Sequence, residues 1–362
     1  MAPPRGAPMA RRRIGPDVLV VTAPDTSRHD PPYELDKGQV VSPVWERAAR
    51  YDAIEAAVRA AGLPTVSPRH HHNGGGFWTE VHDPELVAWL RAGWQDWRGA
   101  GGPPVMIPDT FAHRSWPGTA RRPASPIGVA GWWLTDTATP IVEGSWDAAR
   151  AAVDAALTAV DLVVTGEAAA AHALTRPPGH HAGRDYLGGF CLVNHAAIAV
   201  AAIRAATGGR VAMIDIDHHH GNGTQEVFWE DGEVFYASLH ADPATSYPWC
   251  TGYAEETGAG AGAGTTRNVP LPPGTDDDTY LEALDRTLDA IADHDPTTIV
   301  LSLGTDTAAV DPVGGLGLSP DAYARIGRAI ASADRPIVSV QEGGYDLEHV
   351  GADTVALLSA FK

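Results

Sequence analysis

Cysteine is nearly absent: Cys191 and Cys250 are the two thiols in 362 residues. That is too few for a disulfide scaffold or a cysteine zinc site, so a metal would have to be held by His, Asp or Glu, and a reducing cytoplasmic setting is expected. Positive charge is scarce as well, with 26 Lys and Arg against 45 Asp and Glu and a formal charge of −19. Such a field repels nucleic acid and attracts cations, so no direct nucleic-acid binding is expected. No apolar run approaches the roughly 18 residues of a membrane span, and no membrane association is expected. Met1 to Arg13 is rich in Pro, Ala and Arg and lacks an apolar signal core, so residues 1–16 read as a disordered lead-in and not as an export signal.

What remains is an ordinary globular composition, 44% hydrophobic and 20% charged, and it is read as one domain over residues 17–362. Asp17 to Thr22 has the pattern of a buried strand, and helical spacing from Val44 to Ala61 ends at Gly62 with Pro64 beyond. A second helical pattern runs from Pro84 to Trp97. Residues 99–144 are irregular, rich in Gly, Pro and Trp, and far longer than an ordinary connection, which suits a functional or interfacial insert. Helices are expected at Ser145 to Leu162, His195 to Ala206, Asp277 to Asp293, Ser319 to Ala333 and Leu347 to Phe361. Strands are expected at Arg210 to Ile216, Val234 to Leu239, Thr298 to Leu303 and Pro336 to Val340. This alternation predicts an α/β fold with a mostly parallel sheet, helices on both faces and a site at the carboxyl ends of the strands. The alternating glycines Gly258, Gly260, Gly262 and Gly264 suggest a flexible loop and not a dinucleotide fingerprint, because no strand precedes and no helix follows them.

The chemistry gathers where predicted strands run out. In Ile214-Asp215-Ile216-Asp217-His218-His219 the extended spacing puts Asp217 and His219 on one face, with Asp215 below them as an orienting group. Asp306, closing Leu301-Ser302-Leu303-Gly304-Thr305, is a third ligand by the same logic. Two carboxylates and an imidazole with an open position match a catalytic zinc site; without cysteine, Zn2+ is favoured and Fe2+ stays open. Two aspartates neutralise a divalent ion, so bound water would be only modestly acidified and a base is needed. His180 and His181, in the stretch Arg176 to Ala182, are suited to proton transfer. A carboxylate partner such as Asp215 would favour the charged form of one ring, and a neutral partner such as Asn222 would orient the other without that bias. In Glu342-Gly343-Gly344-Tyr345-Asp346 the glycines let backbone approach a substrate, and the Tyr345 phenol can stabilise an oxyanion. His70, His71 and His72, beside Asn73 and three glycines, read as solvated loop without a catalytic role.

Five ordered segments, RPPGHHA from Arg176 to Ala182, GGFC from Gly188 to Cys191, DIDHHHGNG from Asp215 to Gly223, LGTD from Leu303 to Asp306 and EGGY from Glu342 to Tyr345, resemble the histone deacetylase and acetylpolyamine amidohydrolase superfamily. The resemblance implies the arginase-deacetylase fold, zinc on Asp217, His219 and Asp306, and a catalytic pair of His180 with Asp215 and His181 with Asn222. It also implies that Tyr345 polarises the amide carbonyl and that a structural K+ sits by Asp215 and Ser238. Phe190 and Tyr247 match the aromatics that wall a narrow acyl tunnel, with Gly189 and Gly344 beside the substrate. Gly252 to Gly258 and Val81 to Pro84 look like bacterial acetylpolyamine amidohydrolases. The insert, with Trp116, Trp132, Trp133 and Trp146, resembles the segment that builds a homodimer and narrows the mouth in those relatives. Where they carry a glutamate that favours a cationic substrate, alignment on Trp132-Trp133 puts Ile127.

The expected function is therefore zinc-dependent hydrolysis of a small acylated amine, acetylpolyamine or a relative, with release of acetate or another short carboxylate. An acyl-lysine peptide deacetylase is the alternative. A two-metal ureohydrolase is disfavoured because Ala308 stands two after Asp306 and the next carboxylate is Asp311. A noncatalytic acyl-amine module would not need the proton machinery that is present.

Overall fold

A strand covered on both faces must be apolar along its whole length, and that is how most of the strands here are built. The computed structural model describes residues 18–112 and 121–361; the expected lead-in over residues 1–16 and Trp116 lie outside them. Eight strands form one sheet: β1 (Val18–Thr22), β4 (Thr65–Val66), β5 (Ala170–Leu174), β6 (Val211–Asp215), β7 (Val234–Ala241), β8 (Thr266–Leu271), β9 (Thr298–Leu303) and β10 (Ile337–Gln341). Their order is β4-β1-β5-β10-β9-β6-β7-β8, and every pairing is parallel. All residues of β1, β5, β6, β7, β9 and β10 are buried. A separate hairpin, β2 (Glu34–Asp36) with β3 (Gln39–Val41), leaves the carboxyl end of β1.

Alternate residues of each strand enter opposite apolar layers. Val300 and Val338 face a layer built on α5 (Ser145–Val164) and α6 (His195–Thr207). Ile299, Leu301 and Ile337 face the other, with α1 (Ala48–Ala60), α8 (Asp277–His294), α9 (Pro320–Ala331) and α10 (Val350–Leu358). The single α/β architecture with a parallel sheet matches the expectation from the sequence.

Several boundaries differ for local reasons. The helix expected from Val44 starts at Ala48, because Arg47 is extended and the Ala48 N–H donates to Asp30 Oδ1 at 3.0 Å. The insert expected to be irregular contains α4 (Pro126–Trp133), which packs on α3 (Pro84–Gly99) through Trp89 and Trp133, their rings 6.5 Å apart. Gly128 and Gly131 hide that helix from a propensity reading. Trp146 likewise stacks on Trp78 of the short helix α2 (Trp78–Val81), 5.1 Å between centroids. Strand β8 was not expected: it is an edge strand with Pro270 and a partly exposed Arg267, so it lacks the apolar run of the others. The glycine run is folded back on itself with a short 3-10 turn at Gly260–Gly262; a Cβ at Gly262 would lie 2.7 Å from Trp229 O, while Gly260 and Gly264 have φ +56 and +87, so close packing and left-handed backbone, and not flexibility, account for its composition.

A buried ion network joins the front of α1 to two loops at the carboxyl ends of the strands. Glu46 accepts from Arg50 Nη1 at 2.8 Å and from Arg176 Nη2 at 3.0 Å. Arg50 also donates to Gly344 O and Glu342 O, each at 2.6 Å, and Arg176 donates to Thr26 O at 2.8 Å. All three side chains are buried. Removing the one carboxylate leaves two guanidinium groups uncompensated, so Glu46→Ala should lower unfolding free energy by about 3–5 kcal/mol, measured by urea denaturation. A loss below about 1 kcal/mol would show that the network is not needed for stability.

Candidate active site

The strands of the sheet deliver their chemistry at one edge. Asp215 ends β6, and the chain then turns so that Asp217 and His219 meet Asp306, three residues past β9. Among the described residues these three are the only group of His, Cys, Asp and Glu spaced to hold a metal ion, their ligand atoms all within 4.8 Å of one another. His219 Nδ1 stands 3.3 Å from Asp217 Oδ1 and 3.1 Å from Asp306 Oδ2. The electrostatics call for a cation. Burial, followed by the charge of Asp217, pushes Asp306 up to about 7. Although burial opposes its charge, the two carboxylates hold His219 up at about 9. A divalent ion would take the place of that proton and relieve the repulsion, so the donor set fits a metal.

His180 and His181 lie on the loop after β5, with ring centroids 4.0 Å apart. His180 Nδ1 is 2.9 Å from Asp215 Oδ2, and its Nε2 is 3.6 Å from Asp217 Oδ1. Burial opposes its charge, but Asp217 and Asp215 outweigh that and hold His180 well above the ordinary imidazole range. His181 Nδ1 is 2.7 Å from Asn222 Oδ1. Since that oxygen can only accept, Nδ1 carries the hydrogen and Nε2 is left bare in the neutral ring. Burial, then the positive neighbours His180 and His219, keep His181 well below the ordinary range. Asn222 opens α7 (Asn222–Phe228) and donates its amide to Tyr186 Oη at 3.1 Å, which fixes the amide orientation. Ser238 sits opposite Asp215 in the β6–β7 register and shares a 2.8 Å hydrogen bond with His240 Nδ1.

Tyr345 follows β10, and its ring lies 5.6 Å from Phe190 and 4.5 Å beneath the Arg50 guanidinium carbon. Burial keeps its phenol well above the usual range, Arg50 opposing, so it stays protonated and able to donate. Tyr247 meets His181 edge-on at 4.9 Å and His219 at 6.2 Å, so Tyr247 borders the histidines while Phe190 borders Tyr345. Gly189 sits directly on the His181 ring, and Gly344 has φ +121 and lies against Thr305. The structure thus brings the site residues singled out in the sequence into one region. His70 is instead paired with Asp154 at 3.1 Å, away from it.

Three residues without a role in the sequence reading hold this arrangement. Glu342 Oε2 accepts from the backbone N–H groups of Gly179, at 2.6 Å, and His180, at 3.2 Å. Asp311 Oδ2 accepts from the Tyr345 N–H at 2.7 Å, so this carboxylate serves the tyrosine loop and not a second metal. Asn194 caps α6 and donates to Ala182 O at 3.1 Å. Of these only Glu342 falls within a motif, and nothing in sequence separation says which backbone group a carboxylate will reach.

Comparison with known proteins gives a consistent picture. A family profile described as histone deacetylase domain matches residues 44–361. The chain is 39% identical over 340 residues to an acetylpolyamine amidohydrolase of Mycoplana ramosa, covering 94% of this chain and 98% of that protein. It is 36% identical to acetylpolyamine amidohydrolase 1 of Pseudomonas aeruginosa, covering 95% and 99%. Among solved structures it is similar to an acetylpolyamine aminohydrolase from Burkholderia pseudomallei, with TM-score 0.88, 35% identity and coverage of 95% and 98%.

The Glu342 contacts have a measurable consequence. Glu342→Ala should lower unfolding free energy by about 2–4 kcal/mol, because the Gly179 and His180 amides lose a charged acceptor. Glu342→Gln, which retains one carbonyl acceptor, should lose less than half of that; equal losses in denaturant titrations would show that a neutral acceptor of the same size restores nothing and that the negative charge carries the whole effect.

Proposed function

The chain belongs to the histone deacetylase family, and on that footing we propose that it hydrolyses the acetyl amide of acetylated polyamines or closely related small acetylated amines. It is a metal-dependent deacetylase and acts on acetylated amines. The observation that carries the substrate class is the near full-length similarity to acetylpolyamine amidohydrolases around a buried Asp-His-Asp group beside a histidine pair. Asp217, His219 and Asp306 would hold Zn2+, with Fe2+ as the alternative, and the ion would supply Lewis acidity toward the acyl oxygen and the attacking water. A structural K+ by Asp215 and Ser238 belongs to the same proposal, since both side chains are buried where the two strands are in register.

The chain's own groups divide the proton work. His181, neutral and with Nε2 bare, takes the proton from the water that attacks the carbonyl carbon. His180, its Nδ1 paired with the Asp215 carboxylate, stabilises the negative charge that develops on the oxygen. The protonated Tyr345 donates to that oxyanion from beside Phe190. As the carbon–nitrogen bond breaks, His181 returns its proton to the leaving amine, and acetate and free amine result.

Residues 99–144 are read as the entrance and homodimer segment, supported by the half-buried Trp132 on α4. The two-cysteine composition supports a cytoplasmic location. Ile127 packs against the layer of α5 and α6 and offers no charge, so the ammonium of a substrate must find its counter-charge elsewhere on this acidic chain.

The direct test is acetate release from acetylputrescine, acetylspermidine, acetyl-lysine peptides and neutral acetylated arylalkylamines by metal-loaded protein. Acetylpolyamines should give the highest kcat/KM, and a preference for peptides would overturn the substrate class. Tyr345→Phe should lower kcat by about 10²-fold with metal content unchanged. In Asn222→Asp the new carboxylate raises the His181 pKa; because the base acts when neutral, the acidic limb of kcat/KM should move to higher pH by about one unit. An unmoved limb would remove His181 as the base.

A further inference from the structure

One carboxylate outside the Asp-His-Asp group and the histidine pair reaches both aromatic walls beside them. Asp136 lies in the turn that follows α4. Its Oδ2 accepts from the Tyr247 hydroxyl at 2.9 Å and from the Gly189 N–H at 2.6 Å. Its Oδ1 accepts from the Ala138 N–H at 3.0 Å and from Thr139 Oγ1 at 2.9 Å. Thr139 Oγ1 in turn accepts from the Phe190 N–H at 3.0 Å. One side chain therefore ties Tyr247, on the loop after β7, to Gly189 and Phe190, on the loop after β5.

We propose that Asp136 is a positioning residue that sets the width of the acyl tunnel, and with it the choice of acyl chain, by clamping Tyr247 against the Gly189–Phe190 backbone. The proposal rests on the hydrolase reading above. Three features carry it. Phe190 has φ +68, a left-handed conformation that is unfavourable for an aromatic residue, so something must hold it there, and the paired amides of Gly189 and Phe190 are both taken by the Asp136–Thr139 unit. A Cβ at Gly188 would lie 2.9 Å from Asp136 Oδ2 and 3.0 Å from Tyr247 Oη, so the wall is seated directly on the clamp. The Tyr247 ring touches His181 while its hydroxyl is turned to Asp136, so its reach is fixed at both ends.

Asp136 has no hydrogen bond or ion pair with the histidine nitrogens or with the Asp217, His219 and Asp306 side chains. Its loss should thus alter what fits more than how fast the fitted amide reacts. A wall freed from its anchor widens the slot, which weakens the grip on acetyl and admits longer chains.

The test measures kcat and KM for the acetyl, propionyl and butyryl amides of one diamine with wild type, Tyr247→Phe, Asp136→Asn, Asp136→Ala and the double variant Asp136→Ala/Tyr247→Phe. Asp136→Ala should raise the butyryl-to-acetyl ratio of kcat/KM by about five-fold or more, with the acetyl loss falling on KM more than on kcat. Tyr247→Phe should move the ratio the same way by less, and adding it to Asp136→Ala should change nothing further, since both act through one contact. A ratio unchanged in both single variants, or kcat falling alike for every acyl length, overturns the clamp. Should Asp136→Ala not fold, Tyr247→Phe, which removes one hydroxyl, decides alone. Should wild type hydrolyse no amide, the hydrolase reading fails separately. The clamp is then judged by hydrogen exchange at the Gly189 and Phe190 amides, which Asp136→Asn should accelerate and which unchanged exchange would refute.

Discussion

Two carboxylates and an imidazole are held within 4.8 Å of one another at the dry end of a parallel sheet, and the other parts of the site answer to that constraint. Asp217 and Asp306 are both almost fully buried, so their mutual repulsion is unscreened, and a cation is the simplest remedy. Asp217 of this pair, together with Asp215, keeps His180 cationic and so makes its neighbour His181 harder to protonate. One electrostatic condition thus accounts both for the metal and for the division of labour in the histidine pair.

Around this centre one device recurs: a buried or half-buried carboxylate captures the backbone N–H groups of a loop that carries a functional side chain. Glu342 holds Gly179 and His180, Asp311 holds Tyr345, Asp306 itself accepts from the His218 N–H at 2.8 Å, and Asp136 holds Gly189. Loops have few apolar contacts to fix them, and a charged acceptor on two amides is among the stronger local constraints available. Long connections at the carboxyl ends of strands are thereby made nearly as definite as the strands. The Glu46 network supplies the complement, with Arg50 and Arg176 donating to backbone carbonyls on the same side of the molecule.

The insert between α3 and α5 shows how specificity can be adjusted on such a frame. Its helix α4 brings Ile127 into an apolar layer, while the turn after it places Asp136 behind Tyr247. A single segment therefore contributes both an apolar contact to the layer beneath it and a carboxylate that anchors the aromatic side chain of Tyr247.

The alternation of apolar runs and amphipathic stretches determined the α/β class, the parallel sheet and most of its strands, because burial on two faces leaves an unmistakable composition. Motifs at strand ends determined the candidates Asp217, His219, Asp306, His180, His181 and Tyr345, because the end of a buried strand is where polar groups can meet. Strand β8, its pattern broken by Pro270 at the sheet edge, and α4, masked by two glycines, could be recognised only from their packing. Tertiary structure alone decided that Asp311 serves the Tyr345 amide and that Asp136 joins two walls 53 and 111 residues distant in the chain. Local sequence constrains which groups are polar and where chains turn; which distant amide a carboxylate finds depends on how loops from different strands converge, and no periodicity records that.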